Sequence, residues 1–225
     1  MGKKGNKRES ILHAAKVVFA HEGYHYSTVS KIAKEAGIGD GTVYLYFENK
    51  EDILKKLFHQ AIYHEFVPQV EQNVVNVQEA PLQLYELVRT HFAFFNNDFD
   101  LARVIQIESR QSNPSVKEAM KEGMHRYFRL IESIVVKGQQ QQCFRQDVSP
   151  RMMRKIIFGS MDEVVTCWVL GNNKYSLMSK VEEAYKLLLQ SVMNLSYFCH
   201  IPWTFQPRNE GGHQAAAMKE VDRNE

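Results

Sequence analysis

A pair of very short predicted helices limits the fold of this chain more than any other feature of its sequence. One helix with a small apolar face ends at Gly37, and the next runs from about Asp40 to Phe47. Helices of this length are unstable in isolation because the cost of nucleation is spread over few hydrogen bonds. They must therefore pack against flanking helices. This is the plan of a helix-turn-helix unit, whose second helix enters the DNA major groove.

The flanking segments carry the apolar spacing and the end signals of helices. Apolar residues recur at helical intervals from Lys7 to Glu22, and Gly23 is suited to end that helix. Ser27 or Thr28 offers an N-cap for the second helix, and Asn49 offers one for a fourth helix. The apolar residues of the first and fourth helices are Ile11, Ala15, Val18 and Phe19, and Leu54, Leu57, Phe58 and Ala61.

The rest of the chain also favours helices. Only 12 Gly and 6 Pro occur in 225 residues, too few for a fold of many short strands and turns. We predict further helices over residues 81–97, 99–110, 115–142, 150–171 and 177–199, the fourth of these capped by Ser149. The predicted class is all-α. A DNA-binding head of three helices over residues 1–50, with its reading motif at about 28–47, precedes a larger ligand-binding and dimerisation domain over 51–201. Residues 202–225 read as a tail, disordered past Arg208.

Composition and charge exclude several classes of protein. The three Cys are scattered and odd in number, which favours a reducing compartment, and the N-terminus lacks the apolar core of a secretory signal. The longest uncharged run, Leu187 to Pro207, contains several polar residues, so we expect no membrane span. The net charge is +3 over residues 1–60 and −1 over the remainder. A basic N-terminal segment is compatible with nucleic acid, and we expect a cytoplasmic protein that joins the nucleoid when bound to DNA.

The stretch from Arg8 to Ile62 resembles the TetR family of bacterial transcription regulators. The most specific part is the run Gly41-Thr42-Val43-Tyr44-Leu45-Tyr46-Phe47 followed by Asn49-Lys50-Glu51. The segments 106–113 and 158–166 resemble the acyl-CoA-responsive FadR branch found in Gram-positive bacteria. Two positions depart from the family pattern: Gly39 stands where Ser is common, and Asp40 stands where a basic residue is common. We therefore expect no phosphate contact from Asp40.

The resemblance implies a DNA-reading surface on the second and third helices. Gly41 and Thr42 would approach base edges, whereas Tyr44, Tyr46 and Lys50 would contact phosphates. Thr28 and Lys31 would hold the flanking backbone. For isolated residues of these types, core packing and ordinary solvated charge would be the better interpretation, and the complete run favours DNA.

The resemblance also implies a tunnel for a long-chain acyl-CoA effector in the second domain. Burial of each methylene contributes about 0.8 kcal/mol, so chain length could be sensed. Arginines would bind the CoA phosphates, with Arg110 the preferred candidate; a structural ion pair of Arg110 with Glu108 remains an equal alternative. The candidate ligand-binding residues are Phe92, Phe95, Phe99, Arg103, Arg110, Gln111, Tyr127, Phe128, Ile131, Phe158, Met161 and Trp168.

The last two helices would form a homodimer. On the helix after Ser149, we predict a contact stripe through Ile157, Ser160, Val164 and Trp168. A dimer would place two reading helices about 34–36 Å apart on a palindromic operator. Bound ligand would tilt the fourth helix, change this spacing and release the DNA.

Three other functions stay open. The same family includes regulators of efflux that bind other hydrophobic ligands, and a protein-interaction module is a further possibility. A helical di-metal enzyme would use Glu-x-x-His pairs, of which the chain has two, Glu22/His25 and Glu122/His125. Each pair includes or adjoins a glycine, and the two fall in different predicted domains. We expect no catalytic residues, no metal and no cofactor.

Overall fold

A computed structural model of the chain describes residues 3–110 and 114–194. Ten α-helices make up most of this part, together with a π-helical segment and a short 3₁₀ helix, and the predicted all-α class is confirmed. Their bounds are α1 Lys3–Glu22, α2 Val29–Glu35, α3 Asp40–Val43, α4 Lys50–His59, the π segment Gln60–Phe66, α5 Val67–Val75, α6 Ala80–Asn97, α7 Phe99–Glu108, α8 Pro114–Gln140, α9 Pro150–Leu170, the 3₁₀ helix Leu177–Lys180 and α10 Val181–Val192.

The ends of the first helices follow the local chemistry of the sequence. Gly23 and Gly37 adopt φ values of 79° and 66°, the left-handed region in which glycine avoids a Cβ clash. Of the two candidate caps for α2, Thr28 is the one used: its Oγ1 accepts the Lys31 amide at 3.2 Å. Asn49 caps α4 in the same way, accepting the Asp52 amide at 2.9 Å. These contacts fix where α2 and α4 begin.

The reading helix is shorter than the sequence predicts. Regular α-helix ends at Val43 rather than at Phe47. The amides of Tyr46 and Phe47 both donate to the Val43 carbonyl, at 2.9 and 3.0 Å. Because two donors share one acceptor, the chain tightens into a turn instead of continuing the helix. Phe47 is still buried, 2% exposed, so the turn anchors the helix to the core.

A helical stretch that the sequence analysis did not predict joins the two parts of the molecule. Helix α4 passes into the π segment at Gln60 and then into α5 at Val67. Pro68 lies at the start of α5, where it lacks an amide hydrogen and would clash in a regular α-helix. The wider π turns precede it directly, and they accommodate the break. Proline disfavours the interior of an α-helix, so the sequence around Pro68 carries no local signal for this continuation.

The second part of the molecule packs around α6 and α8. Helix α8 contacts α4, α6 and α9, and α6 also packs on α5 and α10. Helix α4 packs on both α1 and α8, so it contributes to both parts of the core. Among the described helices, none is both long and apolar enough to cross a bilayer.

One prediction on the C-terminal segments changes, and the prediction of a tail is left untested. The last helix ends at Val192 instead of Cys199, because Met193 turns to extended backbone and its neighbours pair with the loop after α8. Residues 195–199 and the predicted tail 202–225 lie outside the described residues, as does Gln111.

Candidate DNA-reading surface and effector core

The short helix α3 presents an open surface. Gly41 is exposed, and a Cβ built on it would meet no atom within 4 Å. Thr42 and Tyr46 are half-buried, whereas Tyr44 and Leu45 are 56% and 77% exposed. Large side chains at such exposure, next to a glycine with free space above it, form a surface that can approach another molecule closely.

Tyr26 extends the exposed aromatic surface of the head, a feature that the sequence analysis missed. Its side chain lies in the loop before α2 and is 78% exposed. The nearby Lys31 is exposed and forms an ion pair with Glu22 at 2.6 Å. Its charge is therefore partly balanced within the head. The Thr28 hydroxyl accepts the cap hydrogen bond, and its hydrogen remains available to donate.

Lys50 has a structural position that the sequence analysis did not predict. Its Nζ donates to the carbonyls of Tyr24 and Ser27, each at 2.7 Å, and to that of His25 at 3.3 Å. It also lies 4.5 Å from the centre of the Tyr24 ring. An ammonium has three donors, and three carbonyls take them. Burial lowers the pKa of Lys50, opposed by the carboxylate of Glu108. Lys50 therefore holds the loop between α1 and α2 in place, and a phosphate would have to compete with these carbonyls.

Glu108, at the end of α7, connects this loop to the second domain. Its side chain is buried, and Oε1 accepts the backbone amide of Tyr24 at 3.3 Å. Burial raises the pKa of the carboxyl group, while the Tyr24 amide and Lys50 lower it. A second link between α1 and α7 is the ion pair of Lys16 with Asp98, whose other oxygen caps α7. The head is thus joined to α7 by charged and hydrogen-bonded contacts.

A cleft of about 210 Å³ lies beside this junction. The end of α1 forms one wall, and α7 forms the other with Arg103, Val104 and Ile107. Arg103 therefore lines this cleft, on the side of α7 that faces the end of α1.

Arg110 lies at the surface where α7 meets α9. Its guanidinium donates to Asp162 at 2.7 Å and to the Thr166 hydroxyl at 2.6 Å, and also to the carbonyl of Gln106 at 2.8 Å. The predicted alternative, an ion pair of Arg110 with Glu108, is wrong. Arg110 pairs with Asp162, and Glu108 instead accepts the amide of Tyr24. The side chain of Arg110 is 42% exposed, and both terminal nitrogens of its guanidinium are already hydrogen-bonded.

Most of the predicted ligand-binding side chains form a buried aromatic core. Phe92, Tyr127, Ile131 and Met161 are fully buried, Phe95 and Trp168 nearly so, and Phe99, Phe128 and Phe158 are partly buried. The rings of Tyr127, Phe128 and Phe158 lie within 6.5 Å of one another. Phe99 and Trp168 form a separate edge-to-face pair at 5.2 Å.

Two residues in this core were missed from the sequence. Phe66, the last residue of the π segment, lies 4.8 Å from the Tyr127 ring and 5.9 Å from that of Phe95. His91, on α6, is buried with its Nδ1 at 2.9 Å from the Tyr127 hydroxyl. A histidine among the apolar residues of α6 was the available signal for this buried polar group.

The predicted contact stripe on α9 is split between two faces, since Ser160 is exposed and Val164 is partly buried. Ile157 and Trp168 are buried in the core, 0% and 2% exposed. The exposed face of α9 instead carries Met152 and Ile156, each 50% exposed, with Gly159 and Ser160 one turn further on. Both faces of α9 are apolar, so the spacing alone could not distinguish the core face from the outer face.

No cluster of three or more His, Cys, Asp or Glu side chains that could hold a metal ion occurs among residues 3–110 and 114–194. The two Glu-x-x-His pairs do not come together there into such a site.

Comparisons with known proteins identify both parts of the chain. Residues 11–57 match the family model described as bacterial regulatory proteins of the tetR family. Residues 58–191 match the model of the C-terminal region of YsiA-like proteins. The chain is 38% identical over 194 residues to the fatty acid metabolism regulator protein of Bacillus subtilis, covering 86% of this chain and 100% of that protein.

Solved structures give the same result. The fatty acid degradation regulator FadR from Bacillus halodurans is 40% identical, with a TM-score of 0.78 over 84% of this chain and 97% of that one. FadR from Bacillus subtilis in complex with stearoyl-CoA is 38% identical, with a TM-score of 0.75 over 80% and 97% of the two chains. A helix-turn-helix head followed by a larger helical domain is common to the sequence models and these structures, and the chain therefore belongs to the TetR family of bacterial transcription regulators.

Proposed function

We propose that this protein is a homodimeric cytoplasmic repressor of fatty-acid degradation genes that binds operator DNA at the nucleoid and is released by long-chain acyl-CoA. The main support is the likeness, over nearly the whole of that chain, to a FadR structure holding stearoyl-CoA. In this protein the matching second domain contains a buried aromatic core with an arginine at its surface.

Operator recognition would use α3 and the residues around it. Gly41 allows close approach, Thr42 and Tyr44 can donate hydrogen bonds, and Tyr46 lies at the following turn. Thr28 and Lys31 would contact the flanking backbone. The surface lacks the basic residue common at position 40, and Asp40 instead accepts a hydrogen bond from Ser30.

The test of this surface is operator affinity, measured by fluorescence anisotropy on labelled DNA from the protein's own promoter. Loss of one hydrogen bond in Tyr44→Phe should weaken binding about fivefold, and Thr42→Ala should have a similar effect. Tyr175→Phe, an exposed tyrosine outside the head, is the matched control. Wild-type affinity in both head variants would refute the assignment of α3 as the reading helix.

The effector would enter the aromatic core with its acyl chain and leave its CoA phosphates near Arg110. Apolar burial provides about 0.8 kcal/mol per methylene, enough to separate the packed rings of the core. Arg110 already donates through both terminal nitrogens to Gln106, Asp162 and Thr166, so a phosphate would have to compete with these partners.

The same anisotropy assay tests the effector. Oleoyl-CoA should release the operator, whereas free CoA should not; free oleate is a separate arm that reports whether the acyl chain alone suffices. The salt concentration must be held fixed because phosphate contacts make affinity salt-dependent. Tight operator binding that oleoyl-CoA does not change would support a DNA-binding repressor but refute the acyl-CoA effector. It would favour a regulator of another pathway.

The dimer would form through the outer faces of α9 and α10. Met152 and Ile156 on α9 and Leu187 on α10 are 50%, 50% and 64% exposed, large values for apolar side chains. A two-fold interface of this kind would set two reading heads on a palindromic operator. Ile156→Asp should give monomers by analytical ultracentrifugation, whereas Lys117→Asp, an exposed position on α8, should leave the assembly intact.

Release would pass through α7. Glu108 holds Tyr24 in the head, and Arg110, two residues later, contacts α9 beside the core. A ligand that moves α7 against α9 therefore also moves the loop that Lys50 secures. Ligand and DNA would then oppose each other by linkage.

A further inference from the structure

One polar atom in the aromatic core has no partner. The ring of His91 is fully buried, and its Nε2 is the single buried side-chain nitrogen or oxygen without a hydrogen bond among the described residues. The rings of Phe66 and Phe95 lie 5.5 and 5.2 Å from the imidazole, and that of Phe92 lies at 6.0 Å. These side chains carry no oxygen or nitrogen, so none of them can accept a conventional hydrogen bond.

The contact with Tyr127 indicates which form of the imidazole is present. The hydroxyl of Tyr127 is 2.9 Å from Nδ1. If the hydroxyl donates to Nδ1, only the Nε2–H of His91 is left unpaired. If Nδ1–H donates instead, both the hydroxyl hydrogen and the Nε2 lone pair are unpaired. Because each buried group without a partner costs free energy, the first form is favoured, and His91 presents a donor to the core.

The unpaired donor lies among the side chains proposed to surround the acyl chain. Phe92, Phe95 and Tyr127 are all proposed ligand-binding residues and all contact the His91 ring. A purely apolar ligand would leave Nε2–H unpaired, whereas an oxygen atom of the ligand could accept its hydrogen bond. We infer that the Nε2–H of His91 donates a hydrogen bond to the thioester carbonyl of the bound ligand. This inference rests on the proposed acyl-CoA effector.

The charge state of His91 favours a neutral acceptor. Burial lowers the pKa of His91 from 6.5 to about 3, so the imidazole is uncharged at neutral pH. A neutral N–H suits a carbonyl oxygen. The carboxylate of a free fatty acid would be buried without a cation, which is far more costly. His91 therefore selects the thioester over the free acid.

The test compares two ligands that differ only at the carbonyl, tetradecanoyl-CoA and its thioether S-tetradecyl-CoA, by isothermal titration calorimetry on the full chain. The double variant His91→Leu/Tyr127→Phe removes both hydrogen-bonding groups, so neither is left unpaired. The affinity ratio of thioester to thioether should fall by about five- to tenfold from wild type to the double variant.

Each outcome has a distinct meaning. An equal loss of affinity for both ligands in the variant, or an unchanged ratio, would overturn the role of His91 and assign it to packing alone. Binding of neither ligand to wild-type protein would refute the proposed effector, and with it this inference. If the double variant fails to fold in a thermal unfolding control, His91→Met gives the same comparison with Tyr127 retained.

Discussion

The variant Lys50→Met distinguishes a structural role of Lys50 from a contact with a DNA phosphate. The change removes the ammonium and keeps an aliphatic stem that can pack on Tyr24. Two hydrogen bonds of 2.7 Å to the carbonyls of Tyr24 and Ser27 are lost. A hydrogen bond to a charged group contributes about 1.5–3 kcal/mol. Because water can reach this partly exposed site, we take the lower limit of that range for each of the two bonds, and expect the free energy of unfolding to fall by about 3 kcal/mol.

Urea denaturation measures this loss, and Lys31→Met is the matched control. Lys31 is exposed and paired with Glu22 on the surface, so its removal should cost about 0–1 kcal/mol. The salt dependence of operator affinity provides the second measurement. If Lys50 contacts a phosphate, the slope of log affinity against log salt concentration should be smaller by about 1 in Lys50→Met, and the stability of the variant should be close to wild type. That combination would refute the structural role argued from the three carbonyls.

Two further predictions concern the second domain. Gly123→Ala should destabilise the fold by about 1–3 kcal/mol in thermal or urea unfolding, because its Cβ would lie 2.8 Å from Ile62 Cγ2 and 3.3 Å from the Tyr63 amide nitrogen. Gly41→Ala, where the Cβ meets nothing within 4 Å, is the control, and an equal loss in both would contradict the steric argument. The unfolded chain protonates His91 near pH 6.5 and the folded chain only near pH 3, so the folded state loses stability as the pH falls below 6.5. The slope from this residue should approach about 1.4 kcal/mol per pH unit, and the double variant His91→Leu/Tyr127→Phe should be flatter over that range when stability is followed by urea denaturation.

The sequence determined the head because its signals act over a few residues. Glycines at the ends of α1 and α2 adopt left-handed backbone, and the cap residues Thr28 and Asn49 bond amides three residues on. The Gly41–Phe47 run then carried the family resemblance, which the comparisons confirm. Pro68 shows the limit of such local signals, because proline disfavours a helix interior and yet the helix continues past it through a π segment.

Contacts distant in sequence were decided by the tertiary structure alone. Lys50 was itself expected to contact a DNA phosphate, yet it bonds carbonyls 23 to 26 residues earlier in the chain. Glu108 and Arg110 are only two residues apart in the sequence, but Glu108 faces the head and Arg110 faces α9. On α9, apolar residues occur on both faces, and only packing against α8 and α6 shows that Ile157 is core and Ile156 is surface. Periodicity gives the shape of a helix and its apolar faces, whereas the choice of which face is buried depends on partners far away in the sequence.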